Sequence, residues 1–326
     1  MSSHSMSPQR NVRVLVVGLG TMGTSHARAY KSVEGYELVG LCTSRAAERD
    51  DLEREFPATP RFESFEEALT RLRPDAVAIS TYTEHHAAMA LQAFAAGAHV
   101  FCEKPLADTL DAAQQVVSAA RAAGKALLVG YILRVHPAWS RFVEIGRTLG
   151  KPLVMRMNLN QQSAGSFWEV HKRLMRSTSP IVDCGVHYVD IMCQVTRARP
   201  VAVHAVGARL TSEIAPAMYN YGHLHIMFDD GSVGWYEVGW GPMMSETAHF
   251  VKDMIGRTAA CRSSRKRVAM RTRVRRTMTL TRGPTRFASI TRHATPKAGF
   301  LSLTSWSRRQ TNPTIKSSAS ASSGCS

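Results

Sequence analysis

Three groups of residues have the types and spacing to do chemistry. The first is Gly18-Leu19-Gly20-Thr21-Met22-Gly23, a GxGxxG pattern. Its first glycine permits a tight turn, its second lets the backbone approach a pyrophosphate, and its third lets a helix pack on a sheet. Thr21 and Met22 would open that helix and offer free N–H groups to phosphates. The second is Lys104, within Glu103-Lys104-Pro105 at the end of the apolar run "HVFC". A cation held there could stabilise an oxygen on which negative charge develops; a solvated lysine before a helix-starting proline is the plainer alternative. The third is the pair Asp183 and His187. Four residues apart, they share one face of a helix beginning near 184. Histidine suits proton transfer near neutral pH. A helix N-cap at Asp183 with a packed histidine is the alternative, and two ligands are too few to argue for a metal.

The elements around these residues alternate from residue 12 to about 130. "VRVLVVG", "YELVGLC", "PDAVAIS", "AHVFCEKP" and "KALLVGY" read as short buried strands. "MGTSHARAYKSV", "AAERDDLEREF", 84–96 and 109–123 read as helices between them. Apolar strands alternating with helices predict a parallel sheet covered on both faces. The GxGxxG follows the first strand and opens the first helix, the context that this fingerprint needs. Ligands in such sheets bind at the C-terminal ends of the strands, where Lys104 also falls. An NAD site commonly carries an acid at the end of the second strand, about 20 residues past the glycines. Here the residues are Cys42-Thr43-Ser44-Arg45. Ser44 and Arg45 could hold a 2′-phosphate instead, which favours NADP over NAD. Arg45 as a solvated helix-start residue is the alternative.

Beyond about 150 the rhythm changes. "PLVMRMNLNQ", "VAVHAVGARL", "GHLHIMFDDGSVGWYEVGW" and "TAHFVKDMI" read as strands of a mostly antiparallel sheet with one open face. Asp-Gly in "FDDGSV" marks a hairpin turn. An open face of this kind commonly carries a substrate pocket or pairs subunits. His223 and His225 lie on one strand face and read as sheet surface.

The charge is unevenly placed. The chain carries a net +16, yet residues 1–256 hold 25 basic and 25 acidic residues. Residues 257–326 hold 16 Lys and Arg and no acid, and lack periodicity. This composition predicts a basic, disordered tail. A shift of reading frame near codon 256 would account for it. Phosphate binding by "RSSRKRVAMRTRVRR" is disfavoured, because aromatics are sparse there. No apolar run approaches the roughly 20 residues that span a bilayer. The N-terminus lacks a signal-peptide core, and six scattered cysteines without CxxC fit reduced thiols in the cytoplasm.

"GLGTMGTSHARAY", "STYTEHHAAMALQAFAAGAHVFCEKPLA", "VGYILRVHP" and "IVDCGVHYVDIM" together resemble the Gfo/Idh/MocA family of NAD(P)-dependent oxidoreductases over residues 11–256. The resemblance implies a Rossmann domain over 1–130 and a substrate or oligomerisation α+β domain over 131–256, with 257–326 unmatched. It implies sugars, inositols or related polyols as substrates and hydride exchange with NADP or NAD. It places Lys104 beside the nicotinamide at the reacting hydroxyl, Asp183 as substrate ligand and His187 as general acid/base. Glu103, Thr81 and His86 would line the cofactor, although Tyr82 and Thr83 stand where the family usually has Pro and Asn. Arg134 would clamp a polar substrate or tie the domain linker. A non-catalytic dinucleotide sensor, and redox-assisted glycoside hydrolysis or elimination, are the rival readings.

Overall fold

The computed structural model describes residues 10–245, 251–263 and 287–291. Six strands, β1 (Val12–Val17), β2 (Tyr36–Cys42), β3 (Arg61–Phe62), β4 (Ala76–Ile79), β5 (His99–Cys102) and β6 (Leu127–Val129), form the first sheet. All pairs are parallel and the order is β3-β2-β1-β4-β5-β6, the doubly wound arrangement. Helices α1 (Thr21–Ser32), α2 (Asp50–Glu55), α3 (Phe65–Leu72), α4 (Thr83–Ala95) and α5 (Leu110–Ala122) make the crossovers. Alternation along β1 explains why both faces need cover. Leu15 and Val17 enter one apolar core, Val14 and Val16 the other.

Two local features differ from the sequence expectation. The helix expected over "AAERDDLEREF" is broken into a 3-10 turn, Ala46–Glu48, and α2. Arg49 interrupts it in a non-helical conformation, its guanidinium bound to Asp51 and, at 2.7 Å, to the Leu19 carbonyl in the glycine loop. A tertiary contact overrides local helix propensity there. Neither β3 nor α3 was expected; α3 is capped by Ser64, whose hydroxyl accepts from Glu67 N–H.

The second sheet contains β7 (Val154–Gln162), β8 (Pro200–Ala208), β9 (Tyr221–Phe228), β10 (Val233–Gly241), β11 (Lys252–Ile255), β12 (Ala260–Ser263) and β13 (Phe287–Thr291). The order is β13-β12-β11-β7-β10-β9-β8. It is mixed: the central pair β7 and β10 runs parallel, while the other pairs are antiparallel. The expected hairpin on Asp-Gly joins β9 to β10, with Gly231 at φ +80°. The sheet also runs past residue 256 through β12 and β13, where no periodicity was read. The rest of the basic tail, 264–286 and 292–326, lies outside the described residues, as does 246–250.

Helices α6 (Pro137–Arg147), α7 (Gly165–Leu174) and α8 (Pro180–Thr196) serve this sheet. Tyr188 of α8 stacks on Tyr236 of β10 at 4.6 Å, and Met192 lies under Gly234. The opposite face carries Val154, Val206, Met227, Val233 and Ile255, all at least 40% exposed. His223 and His225 share that face, as their pairing with Glu237 and Trp235 requires.

Candidate functional site

The glycine loop leaves β1 and enters α1. Gly18 has φ +85°, and a Cβ there would lie 2.6 Å from the Ser80 carbonyl. A Cβ on Gly23 would lie 1.8 Å from the Gly18 oxygen. A Cβ on Gly20 would meet nothing within 4 Å. So two glycines are required by the protein's own backbone, and the middle one borders open space. Gly20 also caps α1 without any side-chain hydrogen bond, and Thr21 and Met22 are exposed. That is an anion-ready helix N-terminus beside a cradle that a side chain would fill. These residues fit a dinucleotide pyrophosphate.

Next to this loop, Gly18 N–H donates to the Cys42 carbonyl at 2.9 Å, placing the end of β2 alongside it. Ser44 and Arg45 follow, exposed, their side chains without a hydrogen-bond or ion-pair partner among the described residues. The end of β4 supplies Thr81. Its carbonyl is 3.1 Å from His86 Nε2, while His86 Nδ1 is 2.7 Å from the Pro105 carbonyl. His86 is 1% exposed, its ring set between the Thr81 and Pro105 carbonyls, to one of which a neutral imidazole can donate. Burial pushes its imidazole below the usual range, the two carbonyls opposing this. This position differs from a cofactor-lining one.

Glu103 is buried at the end of β5. Its Oε1 pairs with His26 Nε2 at 2.8 Å, and its Oε2 accepts from Lys104 N–H at 3.2 Å. Burial pushes this carboxyl up, but the His26 hydrogen bond, the His26 charge and Lys104 outweigh it, so it rests below the usual range. His26, missed in the sequence reading, lies on α1 between the glycines and this carboxylate.

Lys104 pairs with Asp183, and His187 lines the same cavity. Lys104 Nζ donates to Asp183 Oδ1 at 2.9 Å and to the Asp183 carbonyl at 3.0 Å. An ammonium has three donors, so one remains for another oxygen. Asp183 is not an N-cap: α8 starts at Pro180 and is capped by Ser179, whose hydroxyl accepts from Val182 N–H. The carboxylate is thus free to face Lys104. All three residues line a cavity of about 340 Å³, with Gln161, His171 and Trp240 on its wall. Its size suits a small ligand. His187 Nδ1 is buried without a hydrogen-bond partner among the described residues, and the ring meets Tyr131 edge-on at 6.2 Å.

Burial first, and Lys104 second, push His187 down to about 4. Burial alone pushes His171 down to about 4 as well. Unfolded histidine titrates near 6.5, so between roughly pH 6.5 and 4 the unfolded chain binds more protons. Stability should be full above that window and decline as pH falls through it, by on the order of 1–3 kcal/mol per histidine. Urea denaturation at pH 7.0, 5.5 and 4.5 checks this, with His171→Phe predicted to flatten the dependence. A profile equally steep in that variant would contradict the assignment of His171.

Arg134 does not reach this cavity. Its Nε donates to Asp190 Oδ2 at 2.9 Å, binding the 3-10 turn Ile132–Arg134 to α8. Of the two expectations for Arg134, the geometry is that of the linker tie. His223 and His225 lie on the sheet's open face, outside the cavity lining. Gln161, His171 and Trp240 were not singled out from sequence. The apolar spacing of "SFWEVHKRL" was the available signal, since it makes α7 and turns His171 inward.

Among the described residues no helix is long and apolar enough to cross a membrane. Two family models match the chain. Residues 12–131 match the oxidoreductase family with an NAD-binding Rossmann fold, and residues 145–251 match the GFO/IDH/MocA C-terminal domain. Among curated proteins, the chain is 28% identical over 235 residues to a scyllo-inositol 2-dehydrogenase (NAD(+)) of Bacillus subtilis, covering 69% of this chain and 66% of that one. It is 31% identical over 185 residues to an inositol 2-dehydrogenase of Paracoccus denitrificans, covering 56% and 53%. The chain therefore spans about half to two thirds of the length of these relatives. Among solved structures, the WlbA dehydrogenase of Bordetella pertussis, in complex with NADH and UDP-GlcNAcA, shares the fold at TM-score 0.69, with 22% identity and 78% of each chain covered. With residues 12–131 and 145–251 matched in order by the two domain models of one family, and Lys104 of the Glu-Lys-Pro segment set against Asp183 of α8, the chain belongs to the Gfo/Idh/MocA family of oxidoreductases.

Proposed function

We propose that this protein is an NAD(P)-dependent dehydrogenase of a CH–OH group on a cyclic polyol or sugar. The observation that carries the reading is the convergence of Lys104, Asp183 and His187 in one cavity, at the C-terminal end of the parallel sheet. A nicotinamide dinucleotide, when bound, supplies the hydride acceptor for oxidation and the donor for reduction. Gly18, Gly20, Thr21, Met22 and Gly23 would hold its pyrophosphate. Ser44 and Arg45 would hold its adenosine end. Thr81 and Glu103 would border it.

The chain's own residues handle the proton and the charge. Lys104, with two donors on Asp183, directs its third at the reacting hydroxyl and stabilises the alkoxide as it forms. His187, neutral because it is buried, accepts the hydroxyl proton at a ring nitrogen. The imidazolium so formed is strongly acidic in that setting and passes the proton on to water. Asp183 fixes the Lys104 ammonium and orients the substrate. His86, packed between the two loops that frame Lys104, acts as a positioning residue.

The names of the relatives support the substrate class. Residues 1–130 would serve the dinucleotide and 131–256 the substrate. The apolar open face of the second sheet supports pairing with a second copy. Five free cysteines among the described residues fit the cytoplasm. A non-catalytic sensor would not need three converging reactive side chains. Redox-assisted hydrolysis or elimination would give no net reduced nucleotide. The test is to incubate the protein with NADP⁺ or NAD⁺ and myo-inositol, scyllo-inositol or D-glucose, and to follow absorbance of the reduced nucleotide. Stoichiometric accumulation supports the reading, and none with any pair rejects it.

An NADP preference is part of the proposal. Arg45→Ala should weaken NADPH binding about tenfold, roughly 1.4 kcal/mol, and leave NADH unchanged. Nucleotide fluorescence titration measures both. Tighter NADH binding by the unaltered protein would overturn the preference while keeping the dinucleotide site.

A further inference from the structure

The cavity has a second wall that the proposed proton and charge handling does not use. Gln161 of β7 receives the Trp240 indole N–H on its Oε1 at 2.8 Å. An indole N–H only donates, so the amide oxygen is fixed on Trp240 and the amide N–H₂ is left for something else. Trp240 is 1% exposed and stacks on the His171 ring at 4.2 Å, 9° from parallel. His171 Nδ1 is 3.0 Å from Ser163 Oγ, and both residues are buried. Phe167 flanks the same imidazole at 4.5 Å.

Each of these two side chains is anchored at one polar end. The other ends, Gln161 Nε2 and His171 Nε2, have no partner among the described residues, yet both residues line the cavity with Lys104, Asp183 and His187. Polar groups anchored at one end and unpaired at the other are built to meet a ligand. An apolar stretch including Leu159 and Leu174 accompanies them. Few polar contacts are on offer, so each weighs heavily in discrimination: a site built to bond a hydroxyl rejects an analogue lacking it, because its own donor stays unpaired.

We propose that Gln161 and His171, oriented by Trp240, hydrogen-bond a second hydroxyl of the substrate, distinct from the one oxidised, and so decide which polyol is turned over. The inference rests on the dehydrogenase reading above. Trp240 acts through its neighbours and is a positioning residue. His171 stays neutral above about pH 4 because it is buried, and can donate or accept at Nε2.

The test is steady-state kinetics of the full chain on myo-inositol, scyllo-inositol and D-glucose, each beside its monodeoxy analogues. Gln161→Leu and His171→Phe are compared with the unaltered protein. For the polyol that is turned over, kcat/KM should fall about 10- to 100-fold in each variant, mainly through KM. For the analogue lacking the recognised hydroxyl, variants and unaltered protein should agree within about threefold. Trp240→Phe should show a weaker form of the same difference, because it keeps a stacking ring and loses the N–H to Gln161. NADPH fluorescence titration should give unchanged affinity in all three variants. Equal losses on the parent polyol and every deoxy analogue, or loss of NADPH binding, would overturn the proposal and leave the dehydrogenase reading intact. No turnover of any probe by the unaltered protein would overturn both.

Discussion

Lys104→Met is expected to lower kcat about 10³-fold while leaving NADPH affinity within about threefold. Methionine keeps most of the unbranched stem and removes only the charge and its donors, so the packing beside Asp183 changes little. The loss has two parts. No ammonium remains to meet the oxygen on which charge develops, and Asp183 no longer has the cation that fixed its carboxylate at 2.9 Å. The Asp183 side chain is 16% exposed, so an unpaired carboxylate there also destabilises the fold, by about 1–3 kcal/mol. The double variant Lys104→Met, Asp183→Asn separates these parts. It removes the uncompensated charge, so its thermal midpoint should return toward the starting value while kcat stays low. Methylamine added to Lys104→Ala should restore part of the rate, because it returns a cation to the vacated position. Retention of kcat within tenfold in Lys104→Met would remove Lys104 from the chemistry.

The sequence disclosed this site unevenly, and the reasons are physical. Lys104 follows a short apolar run in a parallel pattern, and strand ends of such sheets converge, but that alone left a solvated lysine as the alternative. Asp183 and His187 share a helical face by their spacing of four, and for all three residues it was the resemblance to the family that implied a role. What local spacing does not encode is who else competes for a side chain. Arg134 could have served a substrate, yet Asp190 takes its guanidinium. His86 could have lined the cofactor, yet its ring is buried between two backbone carbonyls. Asp183 could have been a cap, yet Ser179 and Pro180 begin α8 a turn earlier. Gln161, His171 and Trp240 come from a strand, a helix and a further strand spread over 80 positions, and only the parallel pairing of β7 with β10 sets Gln161 beside Trp240. That pairing is invisible in a pattern that reads as antiparallel hairpins.

Gly20→Ala and Gly23→Ala should fail in different ways, and the difference tests whether the glycine loop serves the fold or a ligand. At Gly23 a methyl group would stand 1.8 Å from the Gly18 carbonyl oxygen, a backbone atom that cannot swing aside. The turn must open or α1 must shift off β1, losing several kcal/mol by overpacking, so the variant should melt lower by about 10 °C or more. Its dinucleotide affinity should fall at least about 100-fold, because the helix N-terminus no longer faces the same point. At Gly20 the added methyl meets nothing within 4 Å, and the backbone there is extended at φ −74°. The protein without ligand should tolerate it: alanine is a poorer N-cap than glycine, at a cost of about 0.5–1 kcal/mol, so the thermal midpoint should fall by about 2–4 °C. Yet the methyl fills the space that a pyrophosphate must enter, and NADPH affinity should drop by about 10- to 100-fold. Thermal unfolding together with nucleotide fluorescence titration on both variants reads the four quantities. A Gly20→Ala protein that melts in that range and binds NADPH with full affinity would mean that the open side of this loop is not where the dinucleotide lies. An affinity lost with no more than that small loss of stability would mean that the space beside Gly20 is kept for the ligand, while Gly18 and Gly23 are kept for the turn that presents it.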